Sequence, residues 1–352
     1  MQKLLPYLKL ASERNASDLF FTPYANPMLK VDGEMHALGR TAMMPSMLRD
    51  LIVDALTPEQ MVAFEREREL DCALEAGGLG RFRLNLFFQR GQPAFVLRHV
   101  KAAIPRIDDL GVPEVLKSLM MHKRGLIVVV GAAGSGKSTT LAAMLNHRNE
   151  EATGHILTVE DPIEFVHPNI RCIVNQREIG QDTMSYERAL VSALREAPDV
   201  ILIGEVRTRE TMDACLQLAN TGHLAVSSLH ANNASQALQR IVNLYPQDRR
   251  DQLYLDLSLT LRAVVSQRLV RQKDGGRCAA VEVLINTPLM QDLILARRID
   301  EIRPAMEQSS SPGMQTFDQS LYQLYQQGRI ELDEALANAD SRTNLEAKIN
   351  FG

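Results

Sequence analysis

The 352-residue chain carries four cysteines, Cys72, Cys172, Cys215 and Cys278, and no two lie within a few residues of each other. That spacing excludes zinc sites built on C-x-x-C pairs. The thiols are expected to be reduced and mostly buried. Long apolar runs are also missing. The longest lies near Leu126–Val130, far short of the roughly 20 residues that cross a bilayer. Pro6, Tyr7 and Lys9 interrupt the apolar character of the first ten residues, so no signal peptide is read there. An excess of positive charge is absent too. The net charge is −4, and the first hundred residues hold equal numbers of basic and acidic side chains. A dedicated nucleic-acid binder normally carries a basic stripe, although a ring could still place a few cations in its pore. No internal repeat is present. The expectation is a cytoplasmic protein with no direct membrane insertion and no nucleic-acid partner.

What is present suits a packed globular chain: 45% hydrophobic and 23% charged residues, with length for two or three domains at about 100–200 residues each. Residues 1–100 read as a small α+β domain. Asp18–Phe21 suits a strand. Met28–Val31 and Glu34–Leu38 flank Asp32-Gly33, a hairpin signal because glycine accepts positive φ. Thr57-Pro58-Glu59-Gln60 orders a cap, a first-turn proline and a capping-box glutamine, which predicts a helix running to about Leu74. Arg81–Phe87 alternates as a half-buried strand does, with Pro93–Val100 as its partner. Residues 101–112 contain Pro105 and Gly111 and read as a linker.

From residue 113 to about 300 short apolar strands alternate with helical stretches: Leu126–Val130, His155–Val159, Val200–Ile203, Leu224–Ser228 and Ala279–Ile285. That alternation predicts an α/β domain, a mostly parallel sheet covered by helices. Residues 301–352 read as a C-terminal helical region. A break at Ser309–Gly313 is followed by helices at Thr316–Gln327 and Asp333–Ala339, then a tail.

The chemistry is concentrated in the second stretch. Gly131-Ala132-Ala133-Gly134-Ser135-Gly136-Lys137-Ser138, continued by Thr139, matches G-x-x-x-x-G-K-[ST]. Glycines let the backbone curl so that N–H groups face phosphate oxygens. Lys137 brings positive charge to the β/γ-phosphates, and Ser138 brings a hydroxyl to Mg²⁺. The following helix aims its N-terminus at the anion. ATP and Mg²⁺ are therefore the expected cofactors. Hydrolysis needs further carboxylates, and two strand ends offer them. His155–Val159 runs into Glu160-Asp161-Pro162-Ile163-Glu164. Val200–Ile203 runs into Gly204-Glu205-Val206-Arg207, which puts Glu205 where a second metal carboxylate belongs. Taken alone, each acidic end is equally a helix cap or a solvated loop. His230, at the carboxyl end of Leu224–Ser228, is placed to sense a γ-phosphate. His223, at its start, is the weaker candidate.

These four boxes resemble, in order and spacing, the secretion and type IV pilus ATPase superfamily. The segments Val174–Glu178 and Ala193–Asp199 add to the likeness, which covers essentially the whole chain. The nearest resemblance is to the twitching-motility retraction group, PilT and its paralogue PilU. It implies a hexameric ring, a PAS-like N-terminal domain and a RecA-like ATPase domain. By matched position, Glu164 resembles the catalytic glutamate and Glu205 an atypical Walker B residue. Arg81, Arg83 and Arg98 fall in the region that helps close the nucleotide site in that family. Alternation puts Arg81 and Arg83 on one strand face, which reads equally as a solvated face. The extra N-terminal domain and tetracysteine insert of assembly and secretion motors are missing from this sequence. At Pro288–Ile294 the chain departs from the PilT pattern, which tilts the resemblance toward PilU. The resemblance implies a pilus-retraction motor, recruited to the inner face of the cytoplasmic membrane by a pilus platform protein and working with a PilT-type ATPase. An accessory ring that modulates another motor and a pilus assembly or secretion ATPase stay open. A DNA motor is disfavoured by charge.

Overall fold

The computed structural model describes residues 1–31, 33–100 and 103–351. Asp32 of the predicted hairpin turn and Lys101 and Ala102 of the predicted linker lie outside the described residues. The chain divides into two compact units, Met1–Ala103 and Ile104–Gly352.

The first unit contains helices α1 (Leu5–Glu13), α2 (Pro45–Ala55) and α3 (Pro58–Glu67). Its strands are β1 (Asp18–Phe21), β2 (Met28–Val31), β3 (Glu34–Ala37), β4 (Glu69–Ala76), β5 (Gly80–Gln89) and β6 (Gln92–His99). They form one antiparallel sheet in the order β3-β2-β1-β6-β5-β4. The inward face packs Phe21, Phe82 and Phe95 with the buried leucines of α1 and α2. This is the α+β, PAS-like unit that was expected. The capping box at Thr57 and Gln60 forms, but α3 does not reach Leu74. Arg68 turns left-handed at φ 66° and ends it. Residues 69–76 then pair with β5 as β4. Their alternation of polar and apolar residues, with Leu74 and Ala76 buried, is a strand pattern hidden by residues of high helix propensity.

The second unit opens with a single 3-10 turn, Ile107–Leu110, and α4 (Val115–Met120). It continues through β7 (Gly125–Val130), α5 (Lys137–Glu151), β8 (Gly154–Glu160), β9 (Cys172–Glu178), α6 (Tyr186–Ala193), β10 (Val200–Ile203), α7 (Arg209–Asn220), β11 (Leu224–Leu229) and α8 (Ala234–Asn243). Then come α9 (Arg250–Thr260), β12 (Leu261–Arg271), β13 (Arg277–Ile285), α10 (Pro288–Leu295), α11 (Ile302–Glu307), α12 (Phe317–Gln326), α13 (Leu332–Asn338) and α14 (Arg342–Phe351). The seven-stranded sheet runs β13-β12-β7-β11-β10-β8-β9. Every neighbouring pair is parallel except β12 and β13. Alternate residues of β7 serve opposite cores: Leu126, Val128 and Val130 on one face, Ile127 and Val129 on the other. Burial on both faces explains why these strands are continuous apolar runs. The expected tail is in fact α14. Its Leu345 is buried in a small core with Phe317 and Leu321. Because β7, β8, β10 and β11 are parallel, the loops after them gather along one edge of the sheet.

Candidate functional site

The loop from Gly131 to Gly136 leaves the end of β7 and enters α5, whose first turn carries Lys137, Ser138 and Thr139. Its glycines are required by close approaches. A Cβ on Gly131 would run into the Ser135 hydroxyl and stand 2.6 Å from the Gln267 carbonyl. Gly136 has φ 88°, and a Cβ there would sit 2.7 Å from the Gln267 side-chain nitrogen. Gln267, on β12, also accepts a 2.7 Å hydrogen bond from the buried Thr140 hydroxyl through its Oε1. One residue of a neighbouring strand therefore braces both the loop and the helix after it. The Ser135 hydroxyl is buried without a protein partner, as suits a donor inside an anion cradle. Lys137 Nζ donates to the carbonyls of Gly131 and Ala132 at 2.8 and 2.9 Å. Partial burial holds its ammonium below the usual lysine range, against the opposing pull of Glu205 and Glu164.

Those two carboxylates stand at the ends of β10 and β8. Glu205 lies two residues past the end of β10, with a side chain 17% exposed. Its Oε2 accepts from Arg207 Nε at 2.7 Å, and its Oε1 lies 3.2 Å from His230 Nε2. The structure thus brings the predicted His230 and Glu205 together beside the loop. Glu164 is exposed, on the segment after β8. Glu160, half-buried at the end of β8, has its carboxyl pushed up by desolvation despite hydrogen bonds from Thr158, Gln176 and the backbone N–H of Glu164. His223 bonds to Thr221 Oγ1 and the Leu218 carbonyl at the end of α7, a helix-end role away from the carboxyl edge.

Arg81, Arg83 and Arg98 belong to the first unit. They pair there with Glu75 at 2.9 Å, Asp71 at 3.5 Å and Asp18 at 2.8 Å. Arg81 and Arg83 do share a face of β5, opposite buried Phe82 and Leu84.

Two clefts flank the loop. One, of about 440 Å³, is lined by Gly131, Ala132, His230, Asn232 and Arg240; the other, of about 280 Å³, by Gly134, Ser135, Gln267, Arg268 and Arg277. Gln267 and Arg268 were not anticipated, because the polar run Ser266–Arg268 breaks the apolar signal of β12. Arg268 donates to the carbonyls of Asn232 at 3.2 Å and Asn338 at 2.6 Å, pairs with Asp340 at 2.5 Å, and lies over the Phe317 ring at 3.9 Å. Among the described residues no cluster of three or more metal-ligating side chains occurs. A hydroxyl and a carboxylate, Ser138 and Glu205, are the hard-oxygen donors that suit Mg²⁺ held mainly by phosphate and water.

The family model described as type II/IV secretion system protein matches residues 2–348. The chain is 49% identical over 346 residues to the type IV pilus ATPase PilU of Pseudomonas aeruginosa, covering 98% of this chain and 91% of that protein. It is 39% identical over 338 residues to the retraction ATPase PilT of the same organism, covering 96% and 98%. The crystal structure of the pilus retraction motor PilT with bound ADP superposes with a TM-score of 0.91 at 38% identity, covering 97% of this chain and 98% of that one.

Proposed function

The chain belongs to the type II/IV secretion system protein family and is a type IV pilus ATPase of the PilT/PilU kind, and from that premise we propose that it is a hexameric, ATP-hydrolysing motor that powers pilus retraction alongside a PilT-type partner. The likeness to PilU over nearly the whole chain carries this reading. In it the ring assembles at the inner face of the cytoplasmic membrane against a pilus platform protein. Among the described residues no helix is long and apolar enough to cross a membrane, so attachment through such a partner fits.

Each candidate side chain then has a task. Backbone N–H groups of residues 131–136 and the start of α5 hold the phosphates. Lys137 exchanges its two carbonyl contacts for phosphate oxygens. Ser138 and Glu205 would hold Mg²⁺, which would supply positive charge against the phosphates. Glu164 orients and deprotonates the attacking water. His230, beside Glu205, reads the γ-phosphate. Arg81, Arg83 and Arg98 supply cations that stabilise charge on the transferring group, having first left their carboxylate partners.

A second reading, an accessory ring that modulates another motor, is favoured by α10. Met290 is buried there while Asp292 is exposed, so the surface of this departing segment presents a carboxylate. Purified protein, assayed for ATP hydrolysis alone and with a PilT-type ATPase, separates the two. Turnover by the protein alone supports a motor; turnover only in the mixture supports the accessory ring.

A further inference from the structure

The polar half of β9, Asn175-Gln176-Arg177-Glu178, has no task in the reading above, yet each of its side chains is hydrogen-bonded. Parallel pairing sets Gln176 beside Thr158 and Glu178 beside Glu160. All three side-chain hydrogen bonds of the Gln176 amide are directed at Glu160 and at the segment that carries Glu164. Its nitrogen donates to Glu160 Oε1 at 3.2 Å and to the Phe165 carbonyl at 2.8 Å. Its oxygen accepts from the His167 backbone N–H at 2.7 Å. Glu160 in turn accepts from the Glu164 backbone N–H. Gln176 therefore grips both sides of Glu164: before it through Glu160, and after it through residues 165 and 167. The buried Glu178 adds a third hold, accepting from the Ile163 N–H at 3.0 Å. The other alternation face points elsewhere: Asn175 bonds to His155 and Arg177 to Glu196.

We propose that Gln176 is a positioning residue for hydrolysis, acting through Glu164 by fixing the backbone on either side of it. The proposal rests on Glu164 being the residue that activates water. An exposed loop side chain has no fixed direction of its own, and an error of about 1 Å in such a group costs on the order of 10²-fold in rate. Use of both ends of the amide, as donor and as acceptor, explains why glutamine is suited here. A carboxylate keeps the acceptor for His167 but offers nothing to Glu160 or Phe165, and a thioether of the same length offers none of the three bonds. Nucleotide binding, in contrast, is built on β7, α5 and β12, none of which Gln176 touches through a hydrogen bond.

The test uses the full-length protein. Steady-state ATP hydrolysis, Mg-ADP affinity and thermal unfolding are measured for Gln176→Met, Gln176→Glu, Glu164→Gln and the Glu164→Gln/Gln176→Met pair. The expected result is a kcat about tenfold or more lower for Gln176→Met and for Gln176→Glu. Mg-ADP affinity should stay within about twofold, and the pair should be no slower than Glu164→Gln alone. Wild-type kcat in a folded Gln176 variant, an equal loss of nucleotide affinity, or multiplied losses in the pair would overturn the proposal. If Gln176→Met does not fold, Gln176→Glu decides by the same measurements. Wild-type turnover by Glu164→Gln would instead overturn the assignment of Glu164 itself, a result separable from failure at Gln176.

Discussion

Lys137, Glu164 and Glu282 illustrate how far single side chains can be tested. Lys137→Ala removes the cation that bonds to Gly131 and Ala132 and that, in the proposed role, would meet the phosphates. Hydrolysis should vanish and nucleotide affinity fall, measured by turnover and by titration with a fluorescent nucleotide. Glu164→Gln should retain Mg-ATP binding while kcat falls about 10²-fold or more, because a water-activating base acts on the chemical step. Glu160→Gln is the control. If it is inactive while Glu164→Gln turns over normally, the roles of the two carboxylates are exchanged. Glu282 makes a pH prediction. It is 2% exposed on β13, accepts from the Ala234 backbone N–H at 2.7 Å and from Ser266 Oγ at 3.0 Å, and faces Asp340 and Arg268. Burial, aided by Asp340, pushes its carboxyl up from 4.5 to about 7. The folded state thus binds this proton more tightly than the unfolded chain does. Its stabilising share is complete below about pH 4.5 and is lost as pH rises to 7. Glu282→Gln should flatten that part of the stability–pH curve, removing on the order of 3 kcal/mol of difference across the window. Chemical denaturation of both proteins at several pH values measures it.

Elements show where a local pattern carried enough information and where it did not. The glycine loop is a strained connection, so Gly136→Ala should cost about 1–3 kcal/mol through its left-handed φ. It should also weaken nucleotide binding by pushing on Gln267, both readable from denaturation and titration. The strands β7, β10 and β11 were legible because burial on both faces writes itself as an apolar run. The glycine loop was legible because close approaches to Ser135 and Gln267 restrict Gly131 and Gly136 to glycine. Three strands escaped for physical reasons. The β4 residues alternate correctly but are rich in Glu, Leu and Ala, which favour helix in isolation. β12 carries Ser266, Gln267 and Arg268, polar residues whose partners lie on β13, in α5, at Asn232 and at Asn338 and Asp340. β9 is an edge strand, half polar because its side chains hold a loop. The residues that support the site are thus the least visible in sequence, since their partners are distant along the chain. α14 was missed similarly, its burial resting on one residue. Leu345→Ala should destabilise the protein by about 2–5 kcal/mol, in a thermal melt that would leave a true tail indifferent.

The whole molecule, read as a ring motor, predicts collective behaviour. Turnover per subunit should rise with protein concentration as rings form, if cations from a neighbouring subunit complete each site; sizing chromatography beside the assay checks this, and full activity in a monomer would contradict it. In cells where this protein is the only retraction ATPase, retraction should be weak, and a hydrolysis-dead PilT-type partner should restore it. Full retraction without that partner would remove the need for cooperation. Arg268 gives the chain's own synthesis a bearing on the site. Its guanidinium joins the Asn232 carbonyl, two residues after His230, to Asn338 and Asp340, 70 and 72 residues further along the chain. A nascent chain emerges from the ribosome in order, so the glycine loop, His230 and Arg268 are all exposed before Asp340 is translated. Until then the guanidinium has no carboxylate to anchor it, and the wall of the cleft beside the glycine loop is unbraced. A chain stopped short of Asp340 would therefore carry every catalytic box and still lack the carboxylate that anchors Arg268 beside the cleft.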